Sequence, residues 1–136
     1  MQIIKESGWI YYLGNDINFD NEKVGKWMYF FNNGDFAAQI CKDVIERGVV
    51  SESKHTDADE GVACFYLNYD DIAAQKRIIT YFLENALIKK TKAGRFYNIS
   101  FKLDNQTLSG EYGDKYNAQI KLSQFIDLDT GEWLDY

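Results

Sequence analysis

The sequence predicts an α+β domain: a curved, mostly antiparallel sheet with two or three helices packed on one face. Three observations carry that prediction. Aromatic residues make up 16% of the chain, with ten Tyr and nine Phe, and these favour strands. Near Asp35 and again near Asp71, the apolar pattern changes from the alternation of a strand to the spacing of a helix. The order strand–strand–helix also occurs twice before a closing run of strands, which joins hairpins to helices on a single side. With 136 residues, one good core is accommodated and two are not, so residues 1–136 are expected to form one domain.

Taken in order, Gly8 to Gly14 (GWIYYLG) is a short aromatic strand between glycines. Lys26 to Phe31 (KWMYFF) is a second, apolar enough to lie centrally, with Trp27 and Tyr29 on one side and Met28 and Phe30 on the other. Asp35 is an expected helix N-cap. Phe36, Ala37, Ile40, Cys41, Val44 and Ile45 then recur at helical spacing up to Gly48, a C-terminal stop. Val49 to Thr56 and Val62 to Tyr69 form the next pair of strands. Asp70 or Asp71 caps a second helix with a stripe of Ile72, Gln75, Ile79, Phe82, Leu83 and Ala86. From Gly94 to Tyr112 a long strand, a polar turn and a return strand are expected, with Tyr97, Ile99, Phe101 and Leu103 facing the core and Phe96, Asn98, Ser100 and Lys102 the open side. A last strand is expected near Ala118 to Phe125.

Several chemistries are weakened at this level. The net charge of -6 argues against affinity for duplex nucleic acid. The single histidine, His55, lies near a polar turn, where a solvated or hydrogen-bonding role is favoured over catalysis. Cys41 and Cys64 sit in apolar periodic segments and read as buried small hydrophobes rather than zinc ligands. The acidic turns at Asp57–Gly61 and Asp129–Gly131 lack the ligand spacing of a calcium loop and the context of an aspartic protease. No phosphate-binding glycine loop or nucleophile elbow is present. Neither a signal peptide nor an apolar run of membrane-spanning length is read, so a cytoplasmic protein without membrane attachment, cofactor or metal is expected. Charge is uneven: Lys89, Lys90, Lys92, Arg95 and Lys102 follow one another without an acid, whereas Asp127, Asp129, Glu132 and Asp135 end the chain without a base.

Spaced matches add a resemblance. The segment GKWMYFF, a helix, a strand ending in Ser53-Lys54-His55, and then Phe101, Lys102, Asp104, Thr107, Gly110 and Tyr112 together resemble the basophilic-leukaemia-expressed protein family, to which a phosphothreonine-lyase domain has been ascribed. The resemblance spans about Gly25 to Tyr112. It implies a fold similar to the cap-binding translation initiation factor 4E, and site positions at Trp27, Lys54, Lys102, Asp104 and Thr107, with Arg77 and Arg95 as further candidates.

In chemical terms, Lys54, Arg95 and Lys102 can make charge-assisted contacts to a phosphate, and Trp27 or Tyr29 can stack on a planar group. Core burial competes with stacking at Trp27, and turn formation competes with ligand contact at Asp104 and Thr107. The leading expectation is a non-enzymatic binding domain for a phosphate-bearing or nucleotide-like ligand. The alternative is an acidic protein-interaction or inhibitor module, of the phage or mobile-element type, that blocks a cationic surface on a partner. An enzyme acting on a phosphorylated group, with Lys54 or Lys102 as base, ranks third.

Overall fold

The computed structural model describes residues 1–105 and 120–134. Its strands are β1 (Gln2–Glu6), β2 (Trp9–Leu13), β3 (Val24–Phe31), β4 (Glu52–Thr56), β5 (Gly61–Asn68), β6 (Ser100–Leu103) and β7 (Ile120–Lys121). Its helices are α1 (Gly34–Glu46) and α2 (Ile72–Glu84), with one 3-10 turn at Leu122–Gln124. The strands form one antiparallel sheet in the order β1-β2-β4-β5-β3-β6-β7, which is not closed on itself. The α+β class expected from the sequence is therefore the observed one. Among the described residues no helix is long and apolar enough to cross a membrane.

One row of side chains across the sheet defines its helix-covered face. Tyr12, Ser53, Phe65 and Trp27 are successive cross-strand partners on β2, β4, β5 and β3. Ser53 Oγ donates to the Cys41 carbonyl of α1 at 2.7 Å. Phe65 meets Phe82 of α2 edge-on at 5.2 Å, and Trp27 Nε1 donates to Gln75 Oε1 of α2 at 2.7 Å. Both helices thus lie on the same side. Because side chains alternate along a strand, the intervening residues lie on the opposite side.

Helix ends follow local chemistry. Asn33 caps α1, its side chain accepting from the Phe36 N–H, so the cap lies two residues before the expected Asp35. Asp71 caps α2. At the end of α1, Gly48 N–H reaches Ile45 O and Val49 N–H reaches Val44 O, with Gly48 at φ +68°. That is the paired closure for which glycine is suited.

Several expectations are corrected. β1 was not anticipated; its paired residues are mostly exposed, so its five residues carry no core signal. The long strand from Gly94 shortens to Ser100–Leu103, because Phe96 N–H bonds to Leu128 O and Tyr97 N–H to Lys89 O instead of one neighbouring strand. Tyr97 is exposed, and only Phe101 of the expected core-facing set is fully buried. In α2 the buried set is Ala74, Gln75, Ile78, Ile79, Tyr81 and Phe82, while Ile72 and Ala86 are exposed. The last strand is two residues long before the chain enters the 3-10 turn.

Candidate functional site

On the side opposite α1 and α2, alternation and register gather lysines and aromatic rings. Tyr11, Lys54, Cys64 and Met28 follow one another across β2, β4, β5 and β3. The adjacent row runs Leu13, Glu52, Tyr66, Lys26 and Lys102. On the other flank Trp9 pairs with Thr56 and Phe30 with Val62, and Thr56 Oγ1 accepts from the Val62 N–H at 3.1 Å.

Lys54 is the centre of this arrangement. Its Nζ sits 4.1 Å from the centre of the Trp9 ring, 5.5 Å from Tyr11 and 5.9 Å from Tyr66. Among the described residues no carboxylate lies within ion-pair distance of it. Ring quadrupoles hold an ammonium without neutralising it, so the positive charge is positioned and still available to an anion. Lys26 differs: its Nζ lies 5.7 Å from the Tyr66 ring and 3.0 Å from Asp104 Oδ1.

The centre of the face is poorly solvated. Cys64 is 2% exposed and Tyr66 6%. Burial raises the Cys64 thiol above its ordinary range, while Lys26, Lys54 and Lys102 pull it the other way. Asp104 opposes the three lysines and adds to the effect of burial. Burial likewise raises Tyr66, reinforced by Cys64, Asp104 and Glu52, so the phenol stays protonated. The Glu52 carboxyl is also raised, by burial first and by Asp104 second, against the opposing effect of Lys54.

Of the residues singled out in sequence, Lys54, Lys102 and Asp104 share this face. Trp27 does not. It is 1% exposed, bonded to Gln75 and edge-on to Phe101, and belongs to the core instead of a stacking surface. Tyr29 packs edge-on to Phe36 of α1 on the helix side. Arg95 is exposed and pairs with Asp129 at the C-terminal turn. Arg77 lies on α2, where its Nε donates to Val49 O at 3.2 Å. Thr107, Gly110 and Tyr112 fall outside the described residues.

His55 is buried, not solvated. Its Nδ1–H donates to the Thr56 carbonyl at 2.9 Å, so Nε2 is left to accept from Tyr12 OH at 3.0 Å. Both ring nitrogens are occupied in a structural role. Burial raises the Cys41 thiol to about 12, which keeps it in the unreactive protonated form. Among the described residues no three His, Cys, Asp or Glu side chains are grouped as a metal ion would need.

Trp9, Tyr11, Tyr66 and Lys26 are the members of the site that sequence reasoning passed over. A signal was there: Trp9 and Tyr11 stand two apart, as do Glu52 and Lys54, which places each pair on one strand face. What was lacking was which face the helices cover.

No protein-family model, curated protein or solved structure matches the chain. The chemistry of the site therefore rests on its own geometry.

Proposed function

We propose that the protein is a non-enzymatic binding domain whose sheet face opposite α1 and α2 takes a phosphate-bearing, nucleotide-like ligand. The observation that carries this reading is the Lys54 ammonium held over Trp9 at 4.1 Å with no carboxylate partner among the described residues. Lys54 supplies a charge-assisted contact to a phosphate oxygen, and Lys102 adds positive field from the adjacent row of the same face. Trp9 and the 67% exposed Phe30 offer flat apolar surface for a base. They stand on strands three positions apart in the sheet, on the order of 14 Å, a span that suits a nucleotide better than an inorganic anion. Asp104 restrains Lys26 and limits the excess charge on the face.

The alternative, an acidic module that blocks a partner's cationic surface, has thinner support. Asp127 Oδ1 accepts from the Asp129 and Thr130 N–H groups, and Asp129 is paired with Arg95. Those carboxylates already have work in the turn.

The test is a titration of intrinsic tryptophan fluorescence with GTP, ATP, a cap analogue, a cyclic nucleotide and phosphothreonine, read alongside the thermal midpoint. Trp9 and Trp133 are partly exposed and Trp27 is not, and Trp133 packs on Phe125 rather than on this face, so a bound base changes emission that Trp9→Phe removes. Lys54→Ala is expected to weaken binding by about ten- to a hundredfold, the size of one charge-assisted hydrogen bond. Its stability cost stays near the ~1 kcal/mol of a cation–π contact. Absence of binding for every compound, or binding indifferent to Lys54→Ala, overturns the proposal.

A further inference from the structure

A cavity that meets the lysine face only at Tyr66 opens at one end of the sheet where β2 leaves, β4 enters and α2 begins. It has a volume of about 510 Å³, and its lining includes Asn15, Asp16, Asn18, Ser51, Asp71 and Arg77. The chain closes around it by backbone: Gly14 N–H bonds to Ser51 O at 2.8 Å. A Cβ on Gly14 would stand 3.1 Å from that same oxygen, so glycine permits the close approach.

The polar groups of this cavity are unspent. Arg77 uses Nε to hold Val49 O, which anchors one edge of the guanidinium. Its two terminal amino groups have no partner among the described residues. The side chains of Asn15, Asn18 and Ser51 make no hydrogen bond among the described residues either. Tyr66 also lines the cavity.

Charge selects the occupant. One guanidinium stands against two carboxylates, Asp16 and Asp71, and Asp71 spends only one oxygen on the Ala74 N–H that it caps. A single negative group on the ligand finds Arg77, whereas a di- or polyanion is repelled by the acids. The amides, the hydroxyls and the free carboxylate oxygens then match a ligand rich in hydroxyl groups. We infer that this cavity binds a small monoanionic polyhydroxy carboxylate, of the sugar-acid class, with the carboxylate on Arg77. The inference does not rest on the nucleotide reading, which concerns a different face.

The experiment is an amide nitrogen–proton NMR titration with sodium gluconate, glucose and glucose 6-phosphate in parallel. Gluconate is expected to shift amides around Asn15, Ser51, Asn68 and Asp71 and to leave those of Trp9 and Lys54 in place. Arg77→Ala should weaken it about tenfold or more, as expected for loss of a charged hydrogen-bond partner. Asn18→Ala, a change at an exposed side chain without a protein partner, should weaken it at an unchanged thermal midpoint. Three results overturn the inference: no shift with gluconate at millimolar concentration, glucose binding as well as gluconate, or glucose 6-phosphate binding better than it.

Discussion

On the lysine face, burial raises the pKa of Glu52, Cys64 and Tyr66 above their ordinary values. Glu52 is the informative one, because burial and Asp104 raise its carboxyl while Lys54 opposes them. A carboxyl whose folded pKa lies above its unfolded value holds its proton more tightly in the folded state. Its contribution to stability is complete below the unfolded value and is lost as pH rises through the folded one. Glu52→Gln removes that pH-dependent loss. In urea denaturation it should therefore be more stabilising, or less destabilising, at pH 7 than at pH 4. A stability difference from wild type that does not change between those pH values would show that Glu52 is unperturbed. Lys54 sits in the same balance, so its removal raises the cost of an ionised Glu52 and enlarges the benefit of the Gln substitution. Trp27 illustrates the opposite outcome at this scale. It is the most ligand-like residue in composition, and the structure commits both its ring and its N–H to the core.

At the scale of elements, both helices were legible because their cues are local. Apolar spacing, Asp71 as a cap and Gly48 as a stop all lie within a few residues of what they control. The end of α2 shows where local reading fails. The chain closes by the same paired bonds as α1, with Ala86 N–H on Leu83 O and Leu87 N–H on Phe82 O, but Ala86 takes the left-handed position at φ +55°. Read as one more residue of the stripe, it is instead exposed beyond the helix end. Alanine pays for its Cβ there and glycine does not. Ala86→Gly should stabilise the fold by about 0.5–1 kcal/mol, the relief of strain being partly offset by the freer unfolded chain. Thermal or urea denaturation measures it, and a destabilised variant would show that the position carries no strain. The shortened β6 is the converse case. Alternation across Gly94 to Leu103 is real, but a strand needs one continuous partner, and residues 96 and 97 bond to two different segments.

Across the whole molecule, the two candidate sites lie on different surfaces and use different charges. The lysine face belongs to β2, β4, β5, β3 and β6, and the cavity to the strand ends and the start of α2. Among the described residues Lys54 and Arg77 share no contact, ring or hydrogen-bond partner. Changes at independent sites add within about 0.5 kcal/mol. The double variant Lys54→Ala/Arg77→Ala should therefore lose the sum of the two single stability losses, and each single variant should leave the other ligand's affinity unchanged. A coupling well beyond that figure in denaturation would mean that the sheet end transmits between them. Tyr66, which touches both Lys54 and the cavity, is where such coupling would run.

The amino-acid sequence by itself determined the class of the fold, the two helices with most of their buried faces, and the strands β2 to β5. These follow from periodicity and from residue chemistry, both of which are local. Tertiary structure alone decided which face of each strand the helices cover. It thereby sent Trp27 inward, brought Trp9 and Tyr11 of β2 beside Lys54 of β4, and separated Arg77 and Arg95 from the lysine face. The reason is physical. Alternation states that a strand has two sides, but the choice between them is made by the packing of residues distant in sequence.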